Sequence, residues 1–152
     1  MQKDTIAIHA GYDKKNGNGE MAIPISQTTA YAFRDAEHAA NLFALKELGP
    51  IYTRLNNPTN DILEQRYAQL ENGAAALVTA SGASAIFYSI ANIAEAGDNI
   101  LISDKLYGGS VTLFHFTLKR FGISVKTFKS DDASDLESLI DDKTKGIFFE
   151  SL

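Results

Sequence analysis

Residues 75–94 read AALVTASGASAIFYSIANIA. The first five, Ala75–Thr79, make an apolar run of the length of a buried strand. Ile86, Ile90 and Ile93 then recur at helical spacing, which predicts a helix over Ala83–Ala94, closed by the turn Gly97-Asp98. No charge occurs from Gly73 to Ala94, but Thr79, Ser81, Gly82, Ser84, Ser89 and Asn92 dilute the stretch too far for a membrane span. It reads as a strand that turns sharply, through Ser81-Gly82, into a helix.

The alternation continues downstream. Ile100–Ile102 is a second strand, followed by a loop from Ser103 to Ser110 and a helix over Val111–Phe121 that Gly122 ends. Ser124–Phe128 is a third strand. Ser134, with Glu137 three residues on, has the form of a capping box before a short helix through Leu139-Ile140. Gly146–Glu150 is a fourth strand. Strands and helices in this order predict an α/β fold with a mainly parallel sheet and helices on its faces. A sheet that stops at its fourth strand leaves apolar surface open, so the chain is expected to be the front portion of a longer protein.

Upstream the character differs. Met1–Thr29 reads as an extended arm, polar and Gly/Asn/Lys-rich over Tyr12–Glu20 and interrupted by Pro24, which either stays loose or lies along another surface, a neighbouring subunit being the preferred one. Asp35 is placed to cap a helix from Ala36 to Leu48, stopped by Gly49-Pro50, with Leu42, Leu45 and Leu48 on one side. A second helix follows Asn57-Pro58-Thr59, with Leu63, Tyr67 and Leu70 as its apolar stripe and Asn72-Gly73 as its stop.

Composition limits the chemistry. The chain has 152 residues, 45% of them hydrophobic and 22% charged, which is an ordinary globular balance. Its formal charge of −5 argues against a nucleic-acid partner, which requires a basic surface. It contains no cysteine, which removes disulfides, thiolate nucleophiles and Cys-ligated metals. His9, His38 and His115 share no metal-ligand spacing, so no metal site is expected. Met1–Ala10 has no apolar signal-peptide core, and the cytoplasm is the default location.

In open α/β sheets ligands sit at the carboxyl ends of the strands. Ala80–Ala83 is one loop so placed: its Ser81-Gly82 presents backbone N–H groups at a helix N-terminus and suits a phosphate. The same residues also serve as a plain N-cap with a tight turn. In the loop Asp104–Ser110, Tyr107 beside Gly108 and Gly109 is either a stacking platform for a flat ligand or a partly buried turn tyrosine. Arg54, in the polar Tyr52-Thr53-Arg54 stretch, is either an anion clamp or a surface salt bridge. Glu150 can orient a ligand from a strand end, and Asp131-Asp132 reads as a solvated turn.

The order Tyr52-x-Arg54, Asn57-Pro58-Thr59, Ser81-Gly82, Leu106-Tyr107-Gly108-Gly109-Ser110, Phe149-Glu150 resembles the Cys/Met-metabolism family of pyridoxal-phosphate (PLP) enzymes along nearly the whole chain. Thr5–Gly11, Met21–Tyr31, Glu37–Leu48 and Ile51–Leu55 are similar to its O-acetylhomoserine sulfhydrylase branch. Cystathionine γ-synthases and γ-lyases lack the Ala39–Phe43 pattern, Ala-Ala-Asn-Leu-Phe.

The resemblance implies the large-domain fold of aspartate aminotransferase, truncated here. Residues 1–58 would be an arm and helix serving the neighbouring subunit's site, and 59–152 the first part of the PLP-binding domain. Tyr52 and Arg54 would reach the cofactor phosphate of that neighbour in a homotetramer of site-sharing dimers. Ser81, Gly82 and Ala83 would hold the phosphate of their own subunit's cofactor, with Ala83 standing where many relatives have Met. Tyr107 would stack on the pyridine ring and, with Tyr52, belong to the catalytic machinery. The implied reaction replaces acetate on O-acetylhomoserine by sulfide, giving homocysteine for methionine biosynthesis. The alternatives are a cystathionine γ-synthase, a γ-lyase of the cystathionine or methionine type, or a non-catalytic phosphate-binding domain. The family's Schiff-base lysine, its pyridine-nitrogen aspartate and its substrate-binding arginine would all lie beyond Leu152, so the chain alone is expected to be inactive.

Overall fold

The computed structural model describes residues 2–16, 19–131 and 133–151; Met1, Gly17, Asn18, Asp132 and Leu152 lie outside them. The chain divides into two compact units, Met1–Val78 and Thr79–Leu152.

The first unit is helical. Its opening residues are not wholly extended: Lys3–His9 form helix α1, which packs on helix α3, Pro58–Leu70. Gly11, at φ +79°, brings the two together, since a Cβ on it would meet the Ile62 carbonyl oxygen at 2.4 Å. Arg66 Nε donates to the Ala10 carbonyl at 2.9 Å. The α3 face that meets the arm thus carries Ile62 and Arg66, whereas Leu63 and Tyr67 of the expected stripe are exposed. In this short segment, close backbone approach at Gly11 decides the packed face instead of the heptad-like spacing.

Helix α2 runs over Ala36–Phe43, with Asp35 accepting the His38 N–H at 2.7 Å as its cap. It stops five residues before Leu48. Leu45 adopts φ +55°, the Lys46 N–H bonds the Asn41 carbonyl at 2.9 Å, and the Leu45 N–H bonds Leu42 at 3.1 Å. These are the two bonds of a Schellman end, with a leucine in the left-handed place that glycine usually takes. Of the three leucines, Leu42 is buried while Leu45 and Leu48 are exposed. Helix α3 ends in the same manner with Asn72 at φ +54° and the Gly73 N–H on Ala68 at 2.8 Å.

The second unit is α/β. Helix α4, Gly82–Ile93, leads to strand β1, Asn99–Ser103. Helix α5, Gly108–Thr112, continues through a wide π-turn at Leu113–Thr117 and a tight turn at Leu118–Phe121. Strand β2, Ser124–Phe128, the short helix α6, Leu136–Leu139, and strand β3, Thr144–Phe148, complete it. The sheet has order β2-β1-β3, and both pairings are parallel, aligning Ile100 with Val125 on one side and with Gly146 on the other. Every residue of β1 is buried, as an interior parallel strand requires. Ile90, Ala94, Ile100, Ile102, Phe114, Leu118 and Ile123 form the core under α4 and α5. At Gly146 a Cβ would come to 3.2 Å from Ile93 Cδ1, so the missing side chain lets α4 lie close on the sheet.

Three further expectations differ from the structure. Ala75–Thr79 carries no ladder among the described residues; a strand exists only by pairing, and the Val78 N–H is taken instead by Glu64 Oε1 at 2.9 Å. Strand β3 begins and ends two residues earlier than expected, because its ladder follows β1, leaving Phe149 and Glu150 beyond the paired segment. At α6 a tight turn over Ala133–Asp135 puts Asp135, not Ser134, at the cap position, and the Asp135 side chain makes no cap bond among the described residues.

Candidate functional site

In the second unit, α4 starts at Gly82 with Ser81 as its cap. Ser81 Oγ accepts the Ser84 N–H at 3.1 Å and lies 2.9 Å from Ser84 Oγ, and the Ser81 carbonyl accepts the Ala85 N–H at 3.0 Å. The Thr79 hydroxyl also bonds the Ser81 carbonyl, at 3.0 Å, and fixes the turn. This cap uses the third N–H of the helix and leaves those of Gly82 and Ala83 for another acceptor. A Cβ built on Gly82 meets nothing within 4 Å, so the side-chain position at the helix start is open. The positive end of a twelve-residue helix lies beside that space, an arrangement that favours negative charge there.

Tyr107 occupies the cap position of α5, so the helix begins earlier than Val111 and takes Gly108 and Gly109 into its first turn. Its donors are treated differently. Glu150 reaches across from the end of β3: Oε2 accepts the Tyr107 N–H at 2.7 Å, and Oε1 accepts the hydroxyl of buried Ser110 at 2.6 Å. The Ser110 hydroxyl, and then the Tyr107 N–H, hold the Glu150 carboxyl below its ordinary value. Glu150 is therefore an ionised cap for this helix, a role that the sequence left open.

The Tyr107 ring itself is 75% exposed and lies across Gly109, where a Cβ would come to 2.6 Å from its Cε1. Beside it, the Asp104 carboxylate is held low chiefly by the Ser130 N–H, 2.9 Å away, and Lys105 pairs with Asp131.

In the first unit, Tyr52 and Arg54 are neighbours, with the guanidinium carbon 5.0 Å from the Tyr52 ring centroid. Ala30 and Tyr52 form an antiparallel bridge, flanked by Thr53 N–H to Thr29 at 2.8 Å and by the Thr53 hydroxyl to Thr28. Buried Asn57 locks this segment: its Oδ1 caps α3 at the Thr59 N–H, and its Nδ2 lies 2.9 Å from the Ser26 carbonyl and 3.1 Å from the Tyr31 hydroxyl. Asn57 was legible in the sequence only as part of Asn57-Pro58-Thr59; its long-range ties carry no local signature. Arg54 is exposed, with its charge free to meet an anion.

Ser81, Gly82 and Ala83 are thus gathered at one helix start, Tyr107 sits with Glu150 and Ser110 at another, and Tyr52 and Arg54 stack on a separate unit. Among the described residues no cluster of His, Asp or Glu is arranged to hold a metal ion, and no helix is long and apolar enough to cross a membrane.

Comparison with known proteins identifies the family. The family model described as Cys/Met metabolism PLP-dependent enzyme matches residues 4–152. The O-acetyl-L-homoserine sulfhydrylase of Leptospira meyeri is 46% identical over 152 residues, covering 100% of this chain and 34% of that protein. A Campylobacter jejuni crystal structure described as an O-acetylhomoserine (thiol)-lyase, with N'-pyridoxyl-lysine-5'-monophosphate, superposes with a TM-score of 0.93 at 48% identity, over 100% of this chain and 38% of that one. The cystathionine gamma-lyase of Lactobacillus plantarum, complexed with L-serine, gives 0.85 at 28% identity, over 98% of this chain and 36% of that one. The chain spans about a third of the length of the curated relatives it matches, 34% for the Leptospira protein.

Proposed function

Because this chain belongs to the Cys/Met metabolism PLP-dependent enzyme family, we propose that it forms part of an O-acetylhomoserine sulfhydrylase. The observation that carries this reading is the contrast in identity along the chain, 48% with the thiol-lyase structure against 28% with the γ-lyase. The fold class is shared by both, so it does not separate them.

The residues present fit PLP. The open N–H groups of Gly82 and Ala83, with no atom within 4 Å of a Cβ on Gly82, suit a phosphate ester at the start of α4. Ser81 holds the turn, and its hydroxyl stays engaged with Ser84. The change to Ala83 alters the side chain near the ring but leaves the backbone donor. Tyr107, exposed at the head of α5, offers its ring face for stacking. Tyr52 and Arg54 supply a hydroxyl and a guanidinium for the phosphate of a neighbouring subunit, with residues 1–58 as the reaching arm and 59–152 as the first part of the cofactor domain.

When bound, PLP supplies an electron sink that makes protons on the substrate's α and β carbons acidic. The part of this chain is to fix the phosphate and the ring plane, which determines the bond aligned for cleavage. In this reading Tyr107 and Tyr52 are the phenolic groups that serve proton transfer. In the overall exchange the Cγ–O bond breaks, acetate leaves with the electron pair, and sulfide forms the new C–S bond of homocysteine. The proposed setting is a cytoplasmic homotetramer of site-sharing dimers.

The test is turnover by the full-length protein with PLP. Release of homocysteine from O-acetylhomoserine and sulfide is expected, with little cleavage of cystathionine or methionine. A protein that binds PLP but prefers those thioethers belongs to the γ-lyase branch. One that takes up phosphate and shows no visible cofactor absorption is a non-catalytic binding domain.

A further inference from the structure

The starts of α4 and α5 are both helix N-termini in the same unit, but they differ in the charge set beside them. At α4 a neutral serine caps the helix and two backbone donors stay free. At α5 the Glu150 carboxylate, just past β3, takes the N–H of the cap residue Tyr107 and the hydroxyl of Ser110. An anionic ligand is therefore welcome at Gly82 and repelled at Tyr107, which fits a cofactor that puts its phosphate at the first and its ring at the second.

The carboxylate at α5 does more than exclude. Tyr107 is 75% exposed, and no core packing holds its ring. Its position is set from below by Gly109, whose missing Cβ gives the ring its seat, and from behind by the bond to its own N–H. That bond is charge-assisted, and its acceptor is carried just past β3, a strand paired with the fully buried β1. The second oxygen of the same carboxylate grips Ser110, so the group cannot swing without losing both partners.

We propose that Glu150 is a positioning residue for Tyr107, whose hold on the start of α5 sets the plane of the ring on which the cofactor stacks. The proposal rests on the reading of Tyr107 as the stacking residue. It assigns Glu150 no contact with substrate or cofactor. Its effect passes through a backbone amide, and the rigid element behind it gives the precision that an exposed ring lacks.

The test uses the full-length holoenzyme with Glu150→Ala, Glu150→Asp and Glu150→Gln, read by the visible circular dichroism of the bound cofactor and by its rate of loss on dilution. Glu150→Ala is expected to change the induced band and to speed cofactor loss about tenfold, the size of one charge-assisted hydrogen bond. Glu150→Asp, too short to reach Tyr107, should behave alike and replaces Glu150→Ala if that variant does not fold. Glu150→Gln keeps one acceptor oxygen and should fall between them and wild type. A folded Glu150→Ala or Glu150→Asp holoenzyme with wild-type dichroism and loss rate overturns the proposal. Wild-type protein without any visible cofactor band fails the cofactor reading itself, a separate outcome.

Discussion

Gly122 and Ala96 are pressed so closely that a Cβ on Gly122 would stand 2.9 Å from the Ala96 Cβ. Gly122 also has φ +77°, and its carbonyl accepts the Gly97 N–H at 2.9 Å, tying the end of the α5 segment to the turn before β1. Gly122→Ala therefore meets both a left-handed backbone and a contact below the usual limit. It should cost about 1–3 kcal/mol of unfolding free energy, measured by denaturant titration of the full-length protein. A neutral result would mean that the two turns can separate freely.

Leu45 presents the opposite case. Its side chain is 80% exposed while its backbone sits at φ +55°. Leu45→Gly should stabilise the fold by about 1 kcal/mol, since the left-handed cost vanishes and little packing is lost. A fall in the melting temperature would show that the exposed leucine is covered in the assembled protein.

Asn57→Ala removes the cap of α3 and the ties to Ser26 and Tyr31 together. A loss of about 2 kcal/mol is expected. Tyr52 and Arg54 should become mobile, seen as faster amide exchange over residues 51–54. Unchanged exchange there would separate their placement from Asn57.

Gly82→Val adds a side chain to open space, so the melting temperature of the apoprotein should change little. Phosphate binding should weaken about tenfold or more, because the added methyls crowd the residue that carries the first free donor. Equal affinity in the variant would move the anion away from α4.

Acid sensitivity follows from the carboxylates held low in the fold, Asp104 among them. Asp141 lies well below its ordinary value of 3.8, through Lys126 first and then Asn99, and Glu150 lies below its ordinary 4.5. A depressed folded-state value adds stability that is complete above the ordinary value and is lost as the pH falls through the folded one. Stability should therefore drop below about pH 4.5. Asp141→Asn should make that drop shallower, as measured by unfolding at pH 3 against pH 7. An unaltered slope would assign the acid transition to other groups.

The parts of the fold that could be read beforehand are those with local causes. Asn99–Ser103 and Ser124–Phe128 announce themselves as short apolar or β-branched runs between turns, and Ser81 and Asp35 as caps. Less accessible were features fixed from afar. Helix α2 stops at Phe43 because a leucine accepts the left-handed place, against its usual preference. Residues 75–79 have a strand's composition but lack a ladder partner among the described residues, which no run of apolar side chains can reveal. At the candidate site, Ser81-Gly82 and Tyr107 were visible as motifs. The hold on Tyr107 was not, because its acceptor is separated from it by 43 residues.

That separation also orders events during synthesis. Tyr107 leaves the ribosome 43 residues ahead of Glu150, so the first turn of α5 must wait, its amide hydrated, until the third strand has docked beside the first. The aromatic platform is completed only when Glu150 arrives beside it, which ties its geometry to the docking of that strand.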